Sequence, residues 1–592
     1  MQTNVSRHTC TFSDHPWQTG RAFPTTREMG AYIESYTRAF LDPSMISLGH
    51  RVSRAEPNET GKWEIAWMDD ATSEQGSGTF DNLIISSGVF CKPLMPDIPG
   101  LSQFPGKVLH SADLHNLGIV HGKRVAIIGD SFSAVELAGE LAPLTTSLIH
   151  IYPRPFWVLP RIFPTDPAKP DSAFAPWDIV LCRRSLHKDE GETVFRTDDA
   201  RREKNTYLAS VLGDQGVFSE GLRVAEDQES FVATSDSYIN SVRNGTIKSV
   251  LGRLTDISGT SLVLEDGRQL DDGVDIIIMA TGFSAAMPFF SDEILQELAF
   301  ESRTLRHPLL LHRSVFHPSP KLRNAAFVGL YRGPYMGVIE LHAKWAARVL
   351  SGQHPRPSED EQRAGIAFEQ TIRDADPPIQ FPHGDYVGLM KDLARELGID
   401  PTTAWKGRDI DVICAAQFSQ GDLPSRIIGD LDADIAAATK GKWVSAAIFN
   451  ALQGDWQLHR KIQSFSSNYP SGAFIGAASF IRTPIQPYDP SAAQDVRYEY
   501  KYLERGKLVT DEGLELDAHR RYRYQYDDAE DRIDVYFDDS SGEGHFHGVR
   551  ILTPEEIPDI KYGYNGEWEP WVGENIKGWR AIGDHWCAPV CL

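Results

Sequence analysis

The sequence predicts a multidomain α/β chain whose C-terminal part is an all-β barrel. Three observations carry this. Residues 122–152 read as strand, tight turn, helix and strand, with Gly129 at the turn. The run Asp275-Ile276-Ile277-Ile278-Met279 has the composition of a strand buried on both faces. From Trp456 onward apolar and polar residues alternate, as in Tyr522-Arg523-Tyr524-Gln525-Tyr526. At 592 residues the chain exceeds a single core, and three or four domains are expected.

The elements follow in order. Thr25 and Glu28 form a capping-box pair, and Met29, Tyr32, Ile33, Tyr36 and Phe40 recur at helical spacing behind it. Trp63 to Trp67 alternates like a strand, and Leu83-Ile84-Ile85 reads as a buried strand ending at Ser87-Gly88. A proline-bearing connector runs from Lys92 to Gly100. Val125 to Ile128 is the strand before the turn, Val135 to Leu141 the helix after it, and Leu148 to Ile151 the second strand. Residues 165–245 are polar and weakly periodic, which suggests a helical insertion with loops. Asp266-Gly267 marks a hairpin, Ala325 to Val328 a further strand, and Ile339 to Leu350 an amphipathic helix. Leu431 to Leu452 reads as one connecting helix, and the remainder as several short strands of an up-and-down barrel.

Composition excludes some functions. A net charge of -23 argues against nucleic-acid binding. No apolar run reaches the roughly 18 residues of a membrane span, and the first residues lack the pattern of a signal peptide. Six scattered cysteines suggest a reduced, cytoplasmic protein rather than a disulfide scaffold.

Gly129-Asp130-Ser131-Phe132-Ser133-Ala134 is the chemically informative turn. A glycine there permits the sharp reversal, Ser131 is small enough for close approach, and Ala134 lets the helix pack on the strand. Backbone N–H groups at the helix N-terminus then face a pyrophosphate. Arg154, near the end of the second strand, suits a 2′-phosphate, and no acidic residue ends that strand. An ordinary α/β turn has the same local pattern, so the turn alone leaves both readings open.

Other segments point to a family. Phe104-Pro105-Gly106-Lys107-Val108-Leu109-His110-Ser111 resembles the Phe-x-Gly-x-x-x-His-Ser signature of fungal-type flavin-containing monooxygenases and their Baeyer–Villiger relatives. The turn is similar to that family's Gly-x-Gly/Ser-x-Ser-Gly/Ala motif, and Ala280-Thr281-Gly282-Phe283 to its Ala-Thr-Gly-Tyr/Phe motif. Pro93 to Gly100, Phe327-Val328-Gly329 and Glu340 to Trp345 match further family segments in the same order. The aromatic four residues after the signature histidine is Leu114 here. The family's initial Gly-x-Gly-x-x-Gly turn is not in the sequence; Met1-Gln2-Thr3-Asn4 resembles the later Leu-x-Thr-Asn segment. That suggests a chain shortened at its N-terminus by one or two βαβ units, roughly 60–80 residues.

The resemblance implies a Rossmann-like flavoprotein fold with two dinucleotide-binding domains, lacking its first FAD βαβ, with FAD and NADPH as cofactors. Residues 111–269 would form the NADPH-binding domain, and 1–110 with 270–424 the remainder of the FAD domain. Cofactor contacts are implied at His110, Ser111, Gly129, Ser131, Ser133, Ala134, Arg154, Thr281, Gly282 and Gly329, with Asn4 as the catalytic amide. The implied reaction takes O2 and a small organic substrate and oxygenates a soft nitrogen or sulfur by way of a flavin C4a-hydroperoxide. A catalytically inactive nucleotide- or ligand-binding protein and a Baeyer–Villiger monooxygenase remain as alternatives.

Residues 425–450 are expected to form a helical linker, and 451–592 an incomplete β-barrel. Gly454-Asp455-Trp456 with Arg460 resembles a lipocalin-type opening, in which the arginine stacks on the tryptophan. His545, His547, His585 and Cys587 fit no standard zinc spacing, so no metal is expected; a small apolar ligand suits such a barrel better.

Overall fold

The computed structural model describes residues 2–583 apart from 19, 167–168, 170–171, 182–197, 305, 334–335, 382–385, 400–411, 413, 463–469, 486–497, 539–544 and 552–580. Its centre is a five-stranded, wholly parallel sheet in the order Ile247–Leu251, Ser147–Tyr152, Arg124–Ile128, Ile276–Met279, Lys107–His110. Near-continuous burial of these β-branched runs is what a parallel sheet covered on both faces requires. The helix Phe132–Leu141 covers one face, where Val135, Ala138 and Leu141 pack on Val125, Ile127 and Leu148. The opposite face is covered by Leu254, Ile257, Leu262 and Leu264 from a three-stranded hairpin sheet. The unit draws in strands from residues 107–110 and 276–279, beyond the 111–269 expected for it.

Beside this unit, the helix Thr26–Phe40 carries the expected capping box at Thr25 and Glu28. The strands His50–Pro57, Trp63–Asp69 and Gln75–Phe80 make an antiparallel sheet whose Trp63 is fully buried against Phe290 and Leu322. Leu83–Ile85 pairs in parallel with Ala325–Phe327 and, among the described residues, with nothing else. The expectation of a buried strand is corrected here: Ile84 is 46% exposed, because only one neighbouring strand covers the pair. The insertion at 165–245 is mixed rather than helical. It holds the helices Asp198–Leu212 and Tyr238–Arg243, and strands Phe174–Pro176 and Val232–Thr234 that pair with Ile162–Pro164 and Trp157–Leu159.

The single linker helix is also corrected. Two helices, Asp422–Ala438 and Val444–Ala451, are broken at Trp443, which sits in the left-handed region at φ 69°. The backbone N–H of Trp443 donates to Asp531 at 2.6 Å, which offsets the strain of that conformation.

The C-terminal region is a seven-stranded antiparallel meander from Gly454–Ile462 to Ala581–Gly583. Three of its strands are 13 residues long, not short as expected. Their inward faces bring together Leu458, Phe474, Phe480, Tyr500, Tyr502, Tyr524 and Val535. The first and last strands do not pair with each other among the described residues. Phe449 of the second linker helix plugs this core, 4.7 Å from the Tyr500 ring. Arg460 does not stack on Trp456. Its guanidinium lies over Phe474 and pairs with Glu504 at 2.9 Å, because an inward-facing cation needs a carboxylate more than a ring. The side chains of His545, His547, His585 and Cys587 lie outside the described residues. No helix among the described residues is long and apolar enough to cross a membrane.

Candidate functional site

The carboxyl ends of the parallel strands put four chain segments side by side: His110, the turn at Gly129, Arg154, and Ala280 to Gly282. Gly129 has φ +147°, and a Cβ built on it would lie 2.3 Å from the Ala280 carbonyl oxygen. Only glycine fits so close a backbone crossing. Its N–H donates to Ile151 O at 3.0 Å, and Ala134, fully buried, packs against it.

The helix behind the turn opens with Ser131 as N-cap, whose hydroxyl makes no capping hydrogen bond. Among the described residues the N–H groups of Ser131, Phe132 and Ser133 also have no acceptor. Three amides, a free hydroxyl and the positive end of the helix dipole thus face the same space, which is the arrangement that holds a phosphate.

His150 supports this turn, although no local motif surrounds it. It is fully buried, with Nε2 2.7 Å from Gly129 O and Nδ1 2.7 Å from the Tyr238 hydroxyl. A neutral imidazole satisfies both contacts, with Nε2–H donating to Gly129 and Nδ1 accepting from Tyr238. Burial pushes its pKa down to about 4, against the opposing effect of the Gly129 carbonyl. Unfolded histidine takes up its proton near 6.5, so between these values the unfolded chain binds more protons. His150 therefore contributes stability that is complete above pH 6.5 and is lost as pH falls towards 4, by up to about 3 kcal/mol. Chemical denaturation of the native protein and of H150Q, compared across that range, isolates this contribution. The stability difference between them is expected to shrink on acidification, and a constant difference contradicts the assignment.

Arg154 forms an ion pair with Asp130 of the turn itself at 2.6 Å, and its guanidinium lies 4.6 Å above the Phe231 ring. One turn carboxylate thus already neutralises part of its charge. Thr281 is likewise engaged: its hydroxyl donates to Leu94 O at 2.5 Å, while Leu94 N donates to Gly282 O. This pair pins the proline-bearing connector to the end of the central strand. Gly282 at φ +84° and Gly329 at φ +77° leave open space where a side chain would stand. His110 is buried, its Nδ1 accepts from Ala112 N at 3.1 Å, and its ring meets Phe283 edge-on at 5.1 Å. Its Nε2 is buried with no partner among the described residues. Ser111 opens the short helical turn Ser111–Asp113 beside it.

Asn4 belongs to an N-terminal segment tied down by charge. Arg161, itself buried, donates to Thr3 O at 3.1 Å, to Glu136 of the turn helix at 2.6 Å and to Asp236 at 3.0 Å. Burial alone would weaken the Arg161 cation, but the two carboxylates hold its pKa above the ordinary value. Asp178 binds Ser6 and Thr9, and Glu340 binds Ser13 through both its N–H and its hydroxyl. Asn4 O accepts from Trp177 Nε1 at 2.7 Å, and the Asn4 amide makes no hydrogen bond among the described residues.

The C-terminal sheet grips the far end of the same turn helix. Arg482 donates to Gly139 O at 3.0 Å and to Glu140 at 2.8 Å, and the Tyr498 hydroxyl donates to Glu140 O at 2.6 Å. A cation at a helix C-terminus interacts favourably with the dipole. Arg161, Arg482 and His150 have no local motif around them, and Arg482 lies 342 positions along the chain from Glu140 at the helix end it holds.

Residues 1–407 match the flavin-binding monooxygenase-like family, and residues 452–589 match a family of unknown function, DUF6314. Flavin-containing monooxygenase 5 of Oryctolagus cuniculus is 27% identical over 416 residues, covering 67% of this chain and 72% of that protein. Flavin-containing monooxygenase 3 of Homo sapiens is 26% identical over 363 residues, covering 58% of this chain and 62% of that protein. Among solved structures, S-allyl-L-cysteine S-oxygenase from Allium sativum matches at 19% identity with a TM-score of 0.45, over 74% of this chain and 80% of its own. The family match takes in the turn, its supporting strands and the N-terminal segment together. The chain belongs to the flavin-binding monooxygenase family, whose enzymes use FAD and NADPH.

Proposed function

We propose that the chain catalyses NADPH- and O2-dependent oxygenation of a soft nitrogen or sulfur atom in a small organic molecule. The observation that carries the nucleotide part is the set of free amides and the free Ser131 hydroxyl at the Gly129 turn. In this reading Gly129 to Ala134 hold the dinucleotide pyrophosphate, and His150 fixes the turn through the Gly129 carbonyl. Arg154 lies on the ribose side, braced by Asp130. Gly282 and Gly329 leave a flat ring free to approach, and the unpartnered Nε2 of His110 offers it a hydrogen bond. FAD, when bound, passes the electrons of NADPH to O2. In this reading the Asn4 amide, whose neighbour Thr3 is tied to Arg161 and which makes no hydrogen bond of its own among the described residues, orients a polar oxygen species. Leu114 and Ser111 favour nitrogen or sulfur oxygenation over ring insertion.

The test supplies purified protein with FAD, NADPH and isotopically labelled dioxygen, and offers a thioether, a tertiary amine and a cyclic ketone. Label in the sulfoxide or N-oxide is the expected result. A labelled lactone from the ketone would move the assignment to Baeyer–Villiger chemistry. Binding of NADPH without oxidation of any of the three would leave a nucleotide-binding protein.

A further inference from the structure

A separate cleft of about 340 Å³ is lined by the helix Glu359–Arg373, by the end of the helix Tyr386–Glu396 and by the chain at His312 and Arg313. No residue of the Gly129 turn or of its supports lines it. Its charges are separated rather than paired. Arg313 and Glu396 both face the cleft, and neither makes a hydrogen bond or ion pair with any described residue. Arg313 Nη1 is nevertheless buried. Glu361 lines the same cleft; Ser358 N and the Ser358 hydroxyl donate to its Oε2 at 2.8 and 2.7 Å, and its other oxygen is not engaged.

The chain is bent to put Arg313 there. Arg313 and Ser314 both lie in the left-handed region, at φ 49° and 59°, which is costly for two successive non-glycine residues. Buried Glu369 pins the bend: it accepts from Ser314 N at 2.7 Å, from the Ser314 hydroxyl at 3.3 Å and from Leu311 N at 3.2 Å. His312 is only 8% exposed, yet neither ring nitrogen has a hydrogen-bond partner among the described residues. A Cβ built on Gly365 would stand 2.0 Å from Nδ1 and 3.0 and 3.1 Å from the ring carbons on either side, which is the axis an Nδ1–H would follow. Nδ1 therefore carries the lone pair and Nε2 the proton. Burial, aided by the Arg313 charge, brings the His312 pKa down to about 4, so the ring is neutral at pH 7. A guanidinium fork and an Nε2–H thus lie side by side in the chain, each without an acceptor.

We propose that this cleft binds a free α-amino acid with an apolar side chain, its carboxylate on Arg313 and His312 and its ammonium on Glu396 and Glu361. A carboxylate matches the two parallel donors of a guanidinium. A simple anion would face two carboxylates, and a simple amine would leave Arg313 unpaired. A molecule that carries both charges on one carbon answers both needs. Phe368, Pro357 and Ala364 supply apolar surface for its side chain, and the volume suits a small ligand. The proposal is independent of the reading of the Gly129 turn.

The experiment is a calorimetric titration of the full chain with L-leucine, L-methionine and L-phenylalanine, and then with the amide and the N-acetyl derivative of whichever binds most tightly. The native protein is expected to bind the amino acid at least about tenfold more tightly than either derivative. R313Q should weaken the amino acid by about tenfold or more and change the amide little, because the amide has no carboxylate to lose. E396Q should weaken the amino acid and the amide and leave the N-acetyl derivative unchanged, because that derivative has no ammonium. This crossed pattern also reports that both variants are folded. R313K should keep part of the affinity. A native protein that binds none of the three amino acids overturns the proposal, as do derivatives that bind as tightly as the amino acid. Undiminished binding in both Gln variants overturns it too, and so does equal weakening of every ligand that R313K does not repair.

Discussion

Substitution of Gly129 by alanine is expected to destabilise the protein by roughly 2–5 kcal/mol and to abolish dinucleotide binding. The new Cβ would stand 2.3 Å from the Ala280 carbonyl oxygen, and the backbone at φ +147° is one that alanine strongly disfavours. Neither side of the contact can yield cheaply. Gly129 is held by its own hydrogen bonds to Ile151 and His150, and Ala280 N donates to Ile128 O at the end of the central strand. Any shift that relieves the clash also moves the amides of Ser131 to Ser133. Thermal unfolding and NADPH titration of G129A measure the two effects. G282A is the comparison: its φ is also positive, at +84°, but its Cβ would meet nothing within 4 Å. It should cost only about 1 kcal/mol, the backbone part alone. Equal costs for the two variants would mean that the close crossing at Ala280 is not what fixes the turn.

Arg161→Leu is expected to cost about 3–5 kcal/mol, because it leaves Glu136 buried without its cation and removes the guanidinium from Asp236, which keeps only the backbone N–H of residue 161. Glu136 already has its pKa raised by burial, which Arg161 opposes, so loss of the arginine drives it towards the neutral acid. The same side chain holds Thr3 O, so the variant should also free the N-terminal segment that carries Asn4. Chemical denaturation gives the first effect, and hydrogen exchange over residues 2–22 gives the second. Replacing Glu136 by Gln in the Arg161→Leu background should recover part of the stability without restoring protection of the segment. Recovery of both would show that Arg161 acts on the segment only through the helix.

What the sequence made legible was local. The capping box at Thr25, the hairpin at Asp266-Gly267 and the strand–turn–helix at Gly129 each depend on a few adjacent residues, and the structure has them all. The break between Ala438 and Val444 has a local sign in Gly441, at φ 99° within the polar run Thr439 to Lys442, but the hydrogen bond that supports the left-handed backbone of Trp443 comes from Asp531, 88 positions away. Leu83–Ile85 read as buried because its composition is apolar, yet burial depends on which strands lie beside it. At the candidate site the turn was readable, but its supports were not. His150 looks like one polar residue in an apolar strand, and only the fold brings Gly129 O and Tyr238 to it. Arg154 was found, but not its pairing with Asp130, since position in a strand says nothing about which rotamer a long side chain adopts.

The most direct test is anaerobic addition of NADPH to the protein equilibrated with FAD, followed through the absorbance of oxidised flavin. The native protein is expected to bleach the flavin rapidly with NADPH and slowly with NADH, and G129A to bleach it with neither. Failure of the native protein to reduce flavin, or equal reduction by G129A, would contradict the assignment of the Gly129 turn as the site that delivers electrons from NADPH.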